Sequence, residues 1–154
     1  GVAVACYVNR PASRGEVTLA SADPLARPVI DPCYLSDPRD VEIAVMGLRR
    51  SLAILGATPF ESIRGAPQHG LNSSDTDAVL EAYVRERATT TWHVSGTCRM
   101  GMDAKAVVSA DLKVKGIAQL RVADASVMPK VVSGNTNAAV IMIAEKAADF
   151  MLAH

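Results

Sequence analysis

The sequence is poor in cysteine, and its cysteines are not arranged for cross-linking. Among its 154 residues are Cys6, Cys33 and Cys98, an odd number of widely spaced residues with no Cys-x-x-Cys pair. Secreted disulfide scaffolds and structural zinc sites both need paired cysteines. The pattern therefore argues against both, predicts no metal site, and favours a reducing, cytoplasmic compartment.

An excess of charge of one sign and long apolar runs are lacking as well. Lys and Arg number 16, and so do Asp and Glu, which leaves no basic stripe for nucleic acid or an anionic membrane. No apolar run approaches the roughly 20 residues of a membrane span. The final apolar stretch is interrupted by Glu145, Lys146 and Asp149. We expect neither a nucleic-acid partner nor a membrane span.

The first residues also lack the marks of a secretory leader. Gly1–Tyr7 contains no methionine, no basic segment and no small-residue cleavage site, and it resembles a strand entered midway. A second β-like run, Glu16–Ala20, follows a Pro/Gly/Ser turn cluster. The two runs predict a hairpin or a strand-loop-strand unit.

What the sequence does contain is an apolar fraction of 49%, enough to bury the core of one ordinary domain. The clearest helix starts at Asp37 and Pro38, a capping residue followed by a residue suited to the first helical position. Apolar residues then recur at intervals of three and four, and Gly56 ends the helix.

Three further elements follow. Ser74 and Asp77 resemble a capping box that opens a helix through about Glu86. Leu120–Asp124 is predicted to be a strand with a carboxylate at its carboxyl end. The stretch from Thr136 to about Leu152 has the broad apolar face of a helix that packs against a sheet.

Three motifs in the second half carry the chemistry. They are His93-Val-Ser-Gly-Thr-Cys-Arg-Met-Gly101, Leu120-Arg-Val-Ala-Asp-Ala-Ser-Val-Met-Pro129 and Ser133-Gly-Asn-Thr-Asn-Ala-Ala139. Their order and spacing resemble the carboxy-terminal signature of the glucose-methanol-choline oxidoreductases, flavoenzymes that oxidise alcohols. Agreement of three separate motifs makes the resemblance specific.

The first half is similar to the start of that family's substrate domain, notably at Ser13–Leu19, Pro28–Asp31 and Asp40. The family's Gly-x-Gly-x-x-Gly, which sets the pyrophosphate on a helix N-terminus, has no counterpart among the ten glycines. The resemblance therefore implies FAD as cofactor and an alcohol as substrate. It also implies an N-terminal FAD-binding segment, in the same protein or on a partner subunit.

The resemblance assigns catalysis to His93 and Asn135. Hydride removal from an alcohol carbon is easier while the hydroxyl proton leaves, and an imidazole suits the role of base near neutral pH. A carboxamide can hold the alcohol oxygen without becoming charged, so that the α-carbon faces flavin N5. His93 is thus the candidate base and Asn135 the oxygen-orienting partner.

The same resemblance assigns the cofactor contacts, largely through the main chain. It places Asp124 and Ala125 beside the ribityl-pyrophosphate, and Thr136 and Asn137 beside the isoalloxazine ring. Asn135 and Thr136 open the last helix, whose N–H groups and positive dipole end are predicted to stabilise negative charge on reduced flavin.

Each site residue also has a plainer interpretation. A lone histidine in a β-rich segment is more often structural. Asparagine before an alanine-rich helix is commonly a cap, and aspartate at a strand end is commonly a turn-former. The surrounding pattern favours catalysis for His93, while both roles stay open for Asn135 and Asp124.

Together these patterns predict an α+β fold. Residues 1–105 would form a substrate-binding domain with an antiparallel sheet flanked by helices, and residues 106–154 would supply the C-terminal strand and helix of an FAD-binding domain. The predicted reaction is oxidation of a primary or activated alcohol to an aldehyde, by an enzyme of which this chain alone is inactive.

Two alternatives accompany that prediction. One is a hydroxynitrile lyase on the same scaffold, which bleaching of the flavin by an alcohol would distinguish from an oxidoreductase. The other is a non-catalytic fragment or subunit that only assembles with the FAD-binding half. An incomplete domain exposes apolar surface, so oligomers are expected of the isolated chain.

Overall fold

In the computed structural model, which describes residues 1–66 and 69–153, the chain divides between Thr91 and Trp92 into two units. The described residues hold three α-helices and one two-stranded antiparallel sheet, in agreement with the predicted mixture of helix and strand. Within those ranges no helix combines the length and apolar character that crossing a bilayer requires. The boundary predicted near residue 105 concerns the domains of a larger enzyme and stays a prediction.

The sheet of the first unit pairs different segments from those predicted. Strand β1 (Glu16–Thr18) lies antiparallel to β2 (Val29–Asp31), whereas Gly1–Tyr7 forms no strand. A turn between the two strands, in which the Ala26 N–H donates to the Asp23 carbonyl at 3.1 Å, brings the chain back on itself. The prediction of a strand at the start of the chain was therefore wrong.

Helix α1 (Pro38–Gly56) confirms the clearest prediction from the sequence. The Asp37 carboxylate accepts from the Arg39 backbone N–H at 3.0 Å and so caps the first turn. Hydrogen bonds from the Arg39 side chain and backbone also lower the pKa of Asp37 to about 2. The core of the first unit lies between α1 and the next helix and is formed by Val41, Val45, Leu80 and Val84.

Helix α2 (Asp77–Arg87) begins with a different cap from the one predicted. Thr76 is the N-cap, and its Oγ1 accepts from the Val79 N–H at 3.4 Å. Ser74 cannot act as the cap because its hydroxyl donates to Asn72 Oδ1 in a side-chain turn that precedes the helix.

A buried carboxylate ties the segment before β1 to helix α1. Asp40 is only 2% exposed and accepts from the N–H groups of Ala12 and Ser13, each at 2.8 Å, and from Ser13 Oγ at 2.5 Å. Burial by itself raises the pKa of Asp40, but these three hydrogen bonds outweigh it and hold the pKa below its ordinary value. The donors make a buried charge tolerable.

The second unit is built around helix α3 (Asn137–Leu152), which starts one residue later than predicted, with Thr136 as its N-cap. A single 3-10 turn, Ala125–Val127, packs against it. Their shared core is a group of buried apolar side chains, namely Val108, Leu112, Val127, Met128, Ile143 and Ala147.

The strand predicted at Leu120–Asp124 is not formed. Arg121 makes one isolated antiparallel bridge with Lys113, and no longer ladder follows. The partner segment cannot extend the ladder because it turns on both sides, with positive φ angles at Leu112 and Gly116. The composition of the segment predicted a strand, but the partner segment is too short to pair with all of it.

Candidate active site

His93 lies at the start of the second unit and is contacted on both ring nitrogens. Its Nε2 is 3.2 Å from Asn135 Oδ1, and its Nδ1 is 3.2 Å from Thr136 Oγ1. The imidazole and Thr136 are half-buried, whereas Asn135 is exposed. The structure thus brings together the two residues predicted to be catalytic and adds Thr136 as a third partner.

One of these contacts uses the side chain that would ordinarily cap α3. Thr136 is the N-cap residue, yet it makes no side-chain cap hydrogen bond. A threonine cap stabilises a helix by about 1 kcal/mol. Asn135 precedes the N-cap, and its amide oxygen faces the imidazole. The helix therefore begins without a side-chain cap. The side chains of Asn135 and Thr136 contact His93 instead.

The oxygen atoms around the ring accommodate two protonation states. A carboxamide oxygen only accepts, so Nε2–H donates to Asn135 Oδ1. In the neutral ring the Thr136 hydroxyl donates to Nδ1. In the charged ring Nδ1–H donates to the same hydroxyl, because a hydroxyl both donates and accepts. The arrangement can therefore hold the imidazole before and after it gains a proton.

The distance between the His93 and Asn135 side chains would allow one further oxygen atom to contact both. Two polar atoms 3.2 Å apart can be bridged by a third atom placed about 2.8 Å from each. An alcohol oxygen lying beside both Nε2 of His93 and the Asn135 amide satisfies that condition. Such an oxygen would be within hydrogen-bond reach of a base and of an orienting group at once.

Backbone hydrogen bonds fix the segment that follows His93 against the 3-10 turn. The N–H of Cys98 donates to the Ser126 carbonyl at 3.0 Å, and that of Met100 donates to the Val127 carbonyl at 2.9 Å. Gly96 permits the turn between them and His93, since its φ of 92° disfavours other residues. Because Val127 is fully buried, this attachment is part of the core.

Asp124 and Ala125 lie in a shallow depression of about 220 Å³ beside that turn. The Asp124 carboxylate accepts from the Ser126 N–H at 2.7 Å, so its role as a turn-former is established. The sequence did not predict the other lining residues, which are Val94, Ser95, Thr97 and Ser126. The first three of them belong to the motif that begins at His93.

The depression beside the 3-10 turn is smaller than a site for a whole cofactor. Cofactor-sized pockets run from roughly 300 to 1,000 Å³, so a 220 Å³ depression has room for one portion of the cofactor only. Asn137, the other predicted cofactor contact, is the exposed first residue of α3. The residues present are therefore compatible with a cofactor held mainly by another segment.

Trp92 precedes His93 in a strained conformation. Its φ is 64°, in the left-handed region, which costs a bulky residue about 1–2 kcal/mol. Its side chain is 82% exposed and does not belong to the core of the second unit. Strain of this kind clusters at functional sites, which fits its place next to His93.

Comparison with known proteins agrees with this arrangement of motifs. Residues 11–144 match the family model described as GMC oxidoreductase. An uncharacterised GMC-type oxidoreductase of Mycobacterium bovis is 46% identical over 154 residues, which cover 98% of this chain and 29% of that protein. An alcohol dehydrogenase (acceptor) of Pseudomonas putida is 43% identical over 145 residues, covering 92% of this chain and 26% of that protein.

A solved structure gives the same result. The formate oxidase of Aspergillus oryzae RIB40 superposes with a TM-score of 0.87 and 34% sequence identity, covering 95% of this chain and 26% of that chain. The chain spans 29% of the length of the Mycobacterium relative and 26% of that of the Pseudomonas enzyme.

Proposed function

This chain belongs to the GMC (glucose-methanol-choline) oxidoreductase family, and from that premise we propose that it supplies the proton-accepting half of an FAD-dependent alcohol oxidation. The substrate is a primary or activated alcohol, and the product is the aldehyde. The observation that carries the proposal is the His93 ring held between Asn135 Oδ1 and Thr136 Oγ1 while α3 lacks a side-chain cap. A helix whose N-cap side chain contacts a histidine instead of capping the helix is typical of a functional site.

In this proposal His93 takes the hydroxyl proton of the alcohol. The substrate oxygen lies beside Nε2 of His93 and the Asn135 amide, which reach the same point from 3.2 Å apart. A half-turn of the carboxamide presents Nδ2 to that oxygen as a hydrogen-bond donor. With the carboxamide turned, the neutral ring carries its proton on Nδ1, which donates to the Thr136 hydroxyl, and Nε2 is free to accept. Nε2 then takes the hydroxyl proton of the alcohol, and the ring becomes positively charged.

The chemistry that bound FAD would supply is an acceptor for the hydride of the alcohol carbon. Asp124 and Ala125, in the depression, are the residues that would contact its ribityl-pyrophosphate portion, and Thr136 and Asn137, at the start of α3, would contact its ring. The N–H groups of the uncapped first turn suit a negatively charged neighbour. The rest of the cofactor would be held by an FAD-binding segment, in the same protein or on a partner subunit.

The proposal also assigns the two parts of the chain to two domains of the complete enzyme. Residues 1–105 would belong to the substrate-binding domain and residues 106–154 to the FAD-binding domain of the complete enzyme. His93 would then stand in the first of these and Asn135 in the second. In the structure both residues lie in the second unit, so their contact does not depend on where this boundary falls.

Replacing His93 tests the proposal directly. In the enzyme carrying its FAD-binding segment and FAD, His93→Gln is expected to slow anaerobic flavin bleaching by an alcohol at least a hundredfold, as for loss of a general base. Stopped-flow absorbance measures the rate. His69→Gln is the matched control, because His69 lies in the first unit with its ring 5.2 Å from that of Tyr83, and the variant should react normally.

The outcomes separate the candidate functions. An unchanged bleaching rate in His93→Gln would remove His93 from the mechanism. FAD that binds the wild-type enzyme but is not bleached by any alcohol would contradict an oxidoreductase and fit the lyase instead.

Asn135→Ala tests the orienting role. We expect slower hydride transfer with FAD retained, because the variant loses a contact to the alcohol oxygen and keeps the main chain of α3. Flavin content and bleaching rate are measured on the same sample. Loss of FAD with normal chemistry in the remaining holoenzyme would assign Asn135 to cofactor binding.

A further inference from the structure

Two threonines occupy the N-caps of two helices in this chain, and their hydroxyl groups do different things. Thr76 Oγ1 accepts from the Val79 N–H at 3.4 Å and so caps α2. Thr136 Oγ1 makes no cap bond to α3 and lies 3.2 Å from Nδ1 of His93. Both threonines are N-cap residues, but only the hydroxyl of Thr136 contacts an imidazole.

We propose that Thr136 is a positioning residue for His93. Its hydroxyl holds the ring through Nδ1 so that Nε2 stays directed at Asn135 and at the substrate oxygen beside it. The inference rests on the proposed function of His93 as a base, and it gives the Thr136 side chain a task separate from any cofactor contact.

The geometry of the two contacts supports this role. Asn135 and Thr136 are consecutive residues at the start of one helix, and they reach the two nitrogens of the same ring. Two fixed points on a planar ring prevent its rotation about the Cβ–Cγ bond. With Thr136 Oγ1 removed, the ring keeps one contact and can turn about it. Misplacement of a reacting group by a fraction of an ångström already slows catalysis.

The chemistry of a hydroxyl explains why threonine suits the position. Nδ1 accepts in one neutral form of the ring and donates in the other and in the charged ring, and only a partner that does both remains bonded throughout. Valine has the same shape but neither function. It would leave Nδ1 of a half-buried ring without its hydrogen bond in every state.

Kinetics of the flavin-loaded enzyme test the inference. Thr136→Val is expected to lower the limiting rate of flavin reduction roughly tenfold, the equivalent of about one hydrogen bond, with the apparent dissociation constant of the alcohol and the FAD content little changed. Thr136→Ser keeps the hydroxyl and should recover most of the rate. Thr136→Ala removes it without a branched side chain and should resemble Thr136→Val.

Thr76→Val is the matched control. It removes the cap of α2 and should lower thermal stability without changing the reduction rate. Thr136→Val loses no cap hydrogen bond at α3 but leaves Nδ1 of His93 without its partner, so it should lower the reduction rate whatever its effect on stability. A merely structural role for Thr136 would instead leave the reduction rate of the folded variants unchanged, with no difference between valine and serine.

A spectroscopic measurement on the enzyme carrying its FAD-binding segment reports the contact independently of turnover. Nitrogen-15 NMR of the imidazole, with the His93 signals identified by their loss in His93→Gln, should show a hydrogen-bonded Nδ1 in wild type and Thr136→Ser. In Thr136→Val and Thr136→Ala that resonance should move to the position of an unbonded ring nitrogen.

The two failures can be told apart. If the wild-type enzyme binds FAD but no alcohol reduces it, the proposed function is contradicted. The role of Thr136, which depends on that function, is then contradicted as well. If wild type is reduced and Thr136→Val is reduced at the same rate, or keeps the wild-type Nδ1 resonance, this inference alone is overturned.

Discussion

At the scale of single residues, the buried carboxylate of Asp40 illustrates how charge is accommodated in the first unit. Three donors from Ala12 and Ser13 surround it, and an asparagine would present one acceptor oxygen and an amide group that cannot accept. We expect Asp40→Asn to lower the free energy of unfolding by about 1–3 kcal/mol. Urea denaturation measures it, and Asp149→Asn on the exposed face of α3 should cause no measurable change.

The effect of Asp40 should depend on pH in a definite direction. Its folded-state pKa is lowered from the ordinary value of 3.8, so its stabilisation is fully present above that value and is lost as the pH falls through the lower folded value. The difference between wild type and Asp40→Asn should therefore be constant near neutrality and shrink in strong acid. A difference that grows on acidification would contradict the direction of the shift.

Motifs in the sequence select candidate residues, but they do not show which side chains come into contact. His93 and Asn135 are 42 residues apart, and no local rule joins them. The family resemblance selected both. The hydroxyl of Thr136 could not be placed this way, because a threonine before an alanine-rich helix ordinarily predicts a cap. Its bond to His93 depends on the folding of the segment that contains the histidine.

At the scale of secondary structure, the elements with local signals were predictable. Helix α1 carries a capping aspartate, a first-turn proline and a regular apolar repeat, and its predicted limits agree with the structure. Strands depend on a partner elsewhere in the chain. Glu16–Thr18 pairs with Val29–Asp31 rather than with Gly1–Tyr7, and Leu120–Asp124 lacks a partner of sufficient length. Alternation alone cannot supply that information.

The junction before β1 offers a test at this scale. A Cβ at Gly15 would lie 2.1 Å from the backbone oxygen of Asp31, the last residue of β2, and 2.5 Å from backbone atoms of Pro32. Gly15→Ala should therefore separate β1 from β2 and cost roughly 1–3 kcal/mol. Urea denaturation and amide exchange in β1 measure the loss.

Gly56→Ala serves as its control. A Cβ at Gly56, the last residue of α1, would meet no atom within 4 Å. This variant should be as stable as wild type or slightly more stable, because alanine favours a helix more than glycine does. Equal stability of the two alanine variants would show that the chain moves away from Gly15 at little cost.

At the scale of the whole molecule, apolar exposure is the main feature. Several large side chains are almost fully exposed, among them Leu19, Leu25, Met102 and Leu152 at 87–93%. The proposed FAD-binding segment would cover some of this apolar surface.

Supplying that segment should therefore change the behaviour of the chain. We expect the isolated chain to bind a hydrophobic dye, to self-associate and to bind FAD weakly. With the FAD-binding segment present, dye fluorescence and self-association should fall and a stable flavin spectrum should appear. Tight binding of FAD by the isolated chain would contradict the proposed division of the cofactor site.

The contact between His93 and the start of α3 also has a consequence for the timing of synthesis on the ribosome. Translation makes His93 first, and the asparagine that faces it follows 42 residues later. At ordinary elongation rates that interval is roughly 2 to 8 seconds. During it the imidazole is already part of the nascent chain while its two oxygen partners do not yet exist. The contact between His93 and its two partners therefore cannot form until that interval has passed.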